Sequence, residues 1–238
     1  LACLRGGFVF LPMNTAYRPD EVDYLVGNAE PGLVICDPSA EESTREIAAH
    51  HGTRHVLTLD ADARGSFIDA AAKVTDALPP AACGANDLAA ILYTSGTTGK
   101  PKGAMLSHGN LASNGIALRD AWRFTEDDVL LHALPIFHAH GLFVACHCAL
   151  LSGARMVWLG KFDRDAVLRE LPRATTFMGV PTFYTRLLSG DDFNRDLVGH
   201  MRLFTFGRTC ARRGAAGLNL IGRIFHSVPG RPSIRWRP

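Results

Sequence analysis

Tyr93-Thr94-Ser95-Gly96-Thr97-Thr98-Gly99-Lys100-Pro101-Lys102-Gly103 is the stretch on which the reading of this chain turns. It follows the apolar run LAAIL at 88–92 and precedes a helix expected to start near Ser107 to Asn110. Three glycines (Gly96, Gly99, Gly103) let the backbone turn sharply and aim N–H groups inward. Four hydroxyls and two lysines add donors and positive charge, a combination suited to a polyphosphate with its many acceptor oxygens. The stretch is not a Walker A loop. That motif needs four residues between its first glycine and the Gly-Lys pair, then Ser or Thr. Here Gly96 and Gly99-Lys100 are two residues apart and Pro101 follows. A flexible surface loop accounts for a lone Gly-x-x-Gly, but poorly for eleven residues in this order.

Outward from the loop, short apolar or β-branched runs alternate with helical patterns. Strands are expected at 8–11, 33–37, 55–59, 88–94, 129–134, 155–159, 175–180 and 202–206. Helices are expected at 20–29, 40–51, 110–121, 141–151, 163–171 and 181–188, with Pro, Gly, Ser and Asp at their boundaries as caps and stops. Strands alternating with helices of about ten residues imply parallel βαβ units, so the class is α/β. Segment 75–86 (TDALPPAACGAN) has the composition of a linker or a surface loop.

The chain has 238 residues, 47% hydrophobic and 20% charged, with net charge +2. That excludes a collagen, a disordered tail and a small disulfide-stapled module. The longest apolar stretch, 142–151, contains His147 and is too short to span a bilayer. The near-neutral sum hides a division. All 23 acidic residues precede position 207, whereas 207–238 carries seven Arg and no Lys; the body is therefore −5 (18 basic against 23 acidic) and the tail +7. Six cysteines without regular spacing, and no secretion signal before them, point to reduced thiols and a cytoplasmic location.

YTSGTTGKPKG resembles the phosphate-loop signature of the AMP-forming acyl-CoA synthetases and adenylating enzymes, the superfamily that includes luciferase and peptide-synthetase adenylation domains. The resemblance implies that Thr94, Ser95, Gly96, Thr97, Thr98, Gly99 and Lys102 contact the phosphates of ATP. The stretch GGFVFLPMNTAYRPDEVDYLVGNAEPGLVICD resembles an earlier structural motif of that family, and HALPIFHAHGL its aromatic-histidine motif. ATTFMGVPTFYTRLL is most similar to the malonyl-CoA synthetase branch. The resemblance covers 1–206, expected as part of the family's large N-terminal α/β domain, and stops at the charge break. It implies ATP-dependent activation of a small carboxylic acid as the acyl-adenylate, then transfer to CoA, with ATP, Mg2+ and CoA as cofactors or co-substrates. Neither a nucleic-acid partner nor a membrane span is expected.

Malonate keeps a second carboxylate after the first is activated, and a pocket for it needs a fixed cation, best the fork of an Arg. Arg186 is the candidate: on helix 181–188 it lies away from the apolar face of Val180, Tyr184 and Leu187. The residue by itself better suits an ordinary solvated helix face, and it is the family resemblance that implies a grip on the distal carboxylate. His138, after Pro135-Ile136-Phe137, could bond the substrate carboxylate or line the pocket, or else cap or pack a helix. His138, His140, Cys146, His147 and Cys148 cluster in sequence, but the last three would point about 100° apart on a helix, so no metal site is expected there.

The family's acidic YGxTE motif is not found. Its ribose-binding Asp and its lysine in a mobile C-terminal domain are expected beyond this chain, so no catalytic residue is assigned. The Arg-rich 207–238 reads either as a basic arm or as out-of-frame translation of a GC-rich gene; the absence of Lys and acid favours the latter. The chain is accordingly expected to be an inactive fragment of an acid–CoA ligase. A non-catalytic nucleotide-binding remnant, or a ligase for a medium-chain or aryl acid, are the competing readings.

Overall fold

The computed structural model describes residues 1–76, 79–94 and 100–206. They fall into two units, Leu1–Cys83 and Gly84–Pro238, which meet inside the segment 75–86. The tail 207–238 lies outside the described residues.

The first unit runs α1 (Ala2–Arg5), α2 (Pro19–Ala29), β1 (Leu33–Cys36), α3 (Glu41–His50), β2 (His55–Thr58) and α4 (Ser66–Ala71). Pro19 pre-sets the first turn of α2, and Glu21 Oε2 accepts the Arg18 N–H at 2.9 Å. The helix ends where Glu30 turns left-handed (φ 46°) just before Pro31. β1 and β2 pair in parallel, Leu33 opposite His55 through Cys36 opposite Thr58, with α3 as the crossover. The strand expected at 8–11 does not form; Phe10 makes an isolated bridge, and Phe8 and Val9 are exposed. Among the described residues no neighbouring strand supplies the ladder that would stabilise it.

The second unit begins with β3 (Leu88–Thr94) and β4 (Lys102–Ser107), which pair antiparallel. A strand at 102–107 was not expected, because Lys102 and Gly103 close the glycine-hydroxyl stretch and suggested loop. Gly103 proves to be a strand residue opposite Tyr93, where a Cβ would stand 2.9 Å from Ile91 Cγ2. Its lack of a side chain serves close packing rather than turning. Ser107 then caps α5 (His108–Trp122): its Oγ accepts the Asn110 N–H at 3.1 Å and Asn110 Oδ1 accepts the Ser107 N–H at 3.0 Å.

After α5 come β5 (Val129–His132), a π-helix (His140–Cys146), α6 (His147–Ser152), β6 (Arg155–Trp158), α7 (Arg164–Glu170), β7 (Thr176–Gly179), α8 (Pro181–Leu187), α9 (Arg195–Val198) and β8 (Leu203–Phe206). The four strands form one parallel sheet in the order β6-β5-β7-β8. A single helix at 141–151 was expected; it is divided into the π-helix and α6. Gly141 abuts the Pro135 carbonyl so closely that any Cβ would collide, which holds the opening turn against the preceding loop.

Side-chain alternation along the strands separates two cores. Leu131, Phe177 and Phe204 face α7, α8 and α9, where Val167, Tyr184, Leu187 and Val198 are buried. Leu130 and Met178 face the opposite way, onto Leu118 of α5, Ala145 of the π-helix, and Cys148 and Ala149 of α6. Helices on both faces are what right-handed crossovers produce when the chain leaves β5 in one direction and β7 in the other. Each fully buried Leu or Phe contributes about 1.5–3 kcal/mol. Among the described residues no helix is long and apolar enough to cross a membrane.

One buried carboxylate ties the N-terminal edge of this sheet together. Asp128 accepts from Arg202 Nε (3.0 Å) and Nη2 (2.7 Å), from Thr175 Oγ1 (2.8 Å) and from the Thr125 N–H (2.9 Å). Arg202 also donates to the Trp122 carbonyl at 2.7 Å and lies 5.4 Å from the centre of the Phe124 ring. Burial on its own would raise the Asp128 pKa, but the bonds from Arg202, Thr125 and Thr175 and the Arg202 charge outweigh it and hold the carboxyl below its usual 3.8. Its stabilisation is therefore fully present only well above 3.8, and it is lost as the pH falls through that value towards the lowered native pKa. Replacing Asp128 by Ala strands the Arg202 charge and two donors, and is expected to cost about 3–5 kcal/mol in urea unfolding at pH 7. A loss below about 1 kcal/mol, the size of an exposed ion pair, would refute that role.

Candidate active site

In an open parallel sheet, ligands bind beyond the C-terminal ends of the strands where the winding direction reverses. Here that point lies between β5 and β7. The loop leaving β5 carries Phe137 and His138 into the π-helix, and the chain leaving β7 enters α8 at Pro181 and carries Arg186. The two sequence candidates for carboxylate binding thus follow adjacent strands on either side of the reversal.

His138 is exposed, its ring 4.5 Å from that of Phe137. Its N–H donates to the Pro135 carbonyl, and its own carbonyl accepts the Leu142 N–H at 3.0 Å. The backbone is therefore anchored while the imidazole stays accessible. Arg186 is also exposed, while its helix neighbours Tyr184 and Leu187 are buried, as the apolar-face pattern anticipates. Among the described residues its guanidinium makes no ion pair. Its backbone is well held: the Arg186 carbonyl accepts from Ser189 Oγ at 2.8 Å and from Arg164 Nε at 3.0 Å, and Arg164 is itself clamped by Asp192. Tyr184 Oη donates to the Thr205 carbonyl at 2.7 Å, fixing α8 to β8.

The phosphate-loop candidates divide. Ser95, Gly96, Thr97, Thr98 and Gly99 lie outside the described residues. Thr94 and Lys102 are placed directly opposite each other as the last pair of the β3–β4 ladder. Both are exposed. α5 follows directly on from β4 and packs against the π-helix, where Asn114 Nδ2 donates to the Phe143 carbonyl at 3.3 Å. Gly115 lies in the same seam, since a Cβ there would reach within 2.7 Å of Leu151 Cδ1.

Sequence reading missed His132. It ends β5, is 1% exposed, and stacks on Trp158 at the end of β6 with ring centres 4.4 Å apart. Its Nε2 lies 4.0 Å from Cys146 Sγ in the π-helix. Only the polar residue closing the apolar run Val129-Leu130-Leu131 signals it. Burial, reinforced by His140, lowers its pKa to about 4, so it is neutral at pH 7. Burial likewise lifts the Cys146 and Cys148 thiols to about 11, which makes them poor nucleophiles and poor metal ligands at neutral pH. π-turns recur at functional sites, and this one lies beside the candidate crevice.

His132 predicts a pH signature. The unfolded chain takes up its proton near pH 6.5 and the native state only near 4, so stability falls as the pH drops through that interval. Urea unfolding between pH 7 and 4 is expected to show this slope in the wild type and to lose most of it in His132→Gln. Equal slopes in the two proteins would contradict the assignment.

Comparisons with known proteins bear on the family and the fold. The profile of the "AMP-binding enzyme" family matches residues 1–218, twelve residues beyond the resemblance expected at 206. The ATP-bound crystal structure of MatB from Rhodopseudomonas palustris superposes with a TM-score of 0.83 at 56% identity, covering 87% of this chain and 41% of that one. A malonate–CoA ligase of Arabidopsis thaliana is 31% identical over 198 residues, 78% of this chain and 33% of its own. A feruloyl-CoA synthase of an Amycolatopsis species is 35% identical over 185 residues, 77% of this chain and 35% of its own. The chain thus spans about a third of the length of the curated relatives it matches. A family match over residues 1–218 of the chain settles the family: this chain belongs to the AMP-binding enzymes.

Proposed function

We propose that the protein of which this chain forms part is an AMP-forming acid–CoA ligase acting on malonate. The observation that carries the substrate reading is the exposed Arg186 guanidinium, without an ion pair among the described residues, on the helix that follows β7 at the sheet's reversal. A guanidinium carried on this held backbone offers two parallel N–H donors to the distal carboxylate of a short diacid. A long-chain acyl pocket would need apolar side chains in the same place.

In this reading the other carboxylate of malonate attacks the α-phosphorus of ATP, forming the P–O bond of malonyl-adenylate as the bond to pyrophosphate breaks. The thiolate of CoA then forms the thioester and releases AMP. Thr94, Ser95, Gly96, Thr97, Thr98, Gly99 and Lys102 would hold the leaving pyrophosphate, with Lys102 supplying charge and the glycines close backbone approach. Mg2+ would neutralise phosphate charge when bound. His138, on an anchored backbone with an accessible ring, would orient the reacting carboxylate. The free thiols of the described residues suit a reducing compartment, and we place the reaction in the cytoplasm. The feruloyl-CoA synthase likeness favours one second reading, an aryl-acid ligase.

Carboxylate-dependent ATP–pyrophosphate exchange, run on the full-length protein over a panel of acids, separates the two. Malonate is expected to be the preferred acid. Arg186→Ala is expected to lower malonate kcat/KM by about 10- to 100-fold, the worth of a charge-assisted hydrogen bond, with little effect on monocarboxylates. Unchanged selectivity in that variant, or a preference for ferulate, would overturn the malonate reading. Lys102→Ala should weaken exchange with every acid alike, because its role concerns ATP.

A further inference from the structure

The first unit holds a cluster of ligating side chains that takes no part in the proposed ligase chemistry. We propose that Asp23, His50 and His51 form a binding site for one divalent late transition ion of the zinc, nickel or copper kind. Asp23 Oδ1 lies 2.9 Å from His51 Nε2 and 3.7 Å from His50 Nδ1, and the three ligand atoms all lie within 4.8 Å of one another. Ligands about 2.0–2.1 Å from a tetrahedral ion are roughly 3.3 Å apart, so two of the three separations already bracket the required spacing.

Two elements build the cluster. Asp23 stands on α2, one turn before Gly27. A Cβ on Gly27 would fall 2.5 Å from His51 Cε1, so the missing side chain is what lets the imidazole rest on the helix beside the carboxylate. His50 is the last residue of α3 and His51 its C-cap, where the partial negative charge of the helix end favours a cation. The two imidazoles stack, with centres 4.6 Å apart and planes 22° from parallel. The His51 side chain is 23% exposed and held, whereas that of His50 is 75% exposed and can turn its Nδ1 toward the ion.

Two imidazoles and one carboxylate select late transition ions over magnesium or calcium, which require oxygen ligands. On binding, the His51 proton resides on Nδ1, leaving the Nε2 lone pair for the metal. A cleft of about 300 Å³ lined by Asp23, Tyr24, Gly27, Asn28 and His51 adjoins the cluster and leaves room for water to complete the coordination.

Nickel(II) chloride titrated into the 238-residue chain by calorimetry tests this, since nickel favours imidazole more than thiolate. One saturable equivalent is expected, together with a rise in Tm at saturating nickel. His50→Ala changes an exposed side chain and should retain the wild-type far-UV spectrum while binding at least about tenfold more weakly. Asp23→Asn should weaken binding likewise. Absence of a saturable equivalent in the wild type, or wild-type affinity in both variants, would overturn the site.

Discussion

The four bonds that converge on the Asp128 carboxylate are the constraint from which the larger unit follows. Asp128 precedes β5, Thr175 precedes β7, Arg202 precedes β8, and Trp122 ends α5, so a single buried anion sets four chain segments in register at one edge of the sheet. Desolvating that carboxylate is costly, and only its full set of donors makes it tolerable. The strands are four residues each, too short to align themselves reliably by ladder bonds alone. With their starts aligned, their opposite ends are aligned too, and the winding reversal between β5 and β7 lies there. The structural charges are concentrated at one end of the strands, and the proposed carboxylate site is at the other.

This division explains why charge is distributed as it is. The N-terminal edge consumes its charges in mutual pairing, Asp128 with Arg202, and Arg164 with Asp192 is spent on bracing the end of α8. Arg186, at the other side, makes no ion pair among the described residues and stays exposed, although its carbonyl is fixed by Arg164 and Ser189. A held backbone with an available guanidinium is the arrangement a carboxylate site needs, because less conformational freedom is lost when the ligand arrives. The neighbouring interior is kept neutral: burial holds His132 uncharged and the Cys146 and Cys148 thiols protonated.

Much of this was legible from residue order, and what was not has physical causes. Seven of the eight expected strands formed, six of them in parallel pairings and β3 in an antiparallel one, because short continuous apolar runs stand out. The run at 8–11 was equally apolar and failed for want of a partner, which local sequence does not record. β4 was overlooked because Lys102 and Gly103 look like loop; its strand character comes from the pairing with β3. The switch-point placement of His138 and Arg186 depends on strand order, a property of long-range topology. The Asp23–His50–His51 cluster was hidden for the same reason, since Asp23 and His51 are 28 positions apart and only tertiary packing makes them neighbours; His132 left one weak signal, a polar residue closing an apolar run.

The central claim is that the crevice at the ends of β5 and β7 receives a short diacid, held by Arg186 and activated beside the 94–102 loop. A crystal structure of the full-length protein with a non-hydrolysable malonyl-adenylate tests it most directly. The account predicts the distal carboxylate within hydrogen-bond distance, about 2.7–3.2 Å, of the Arg186 guanidinium. A malonyl group bound away from β5 and β7, or an Arg186 turned to solvent in the complex, would contradict it.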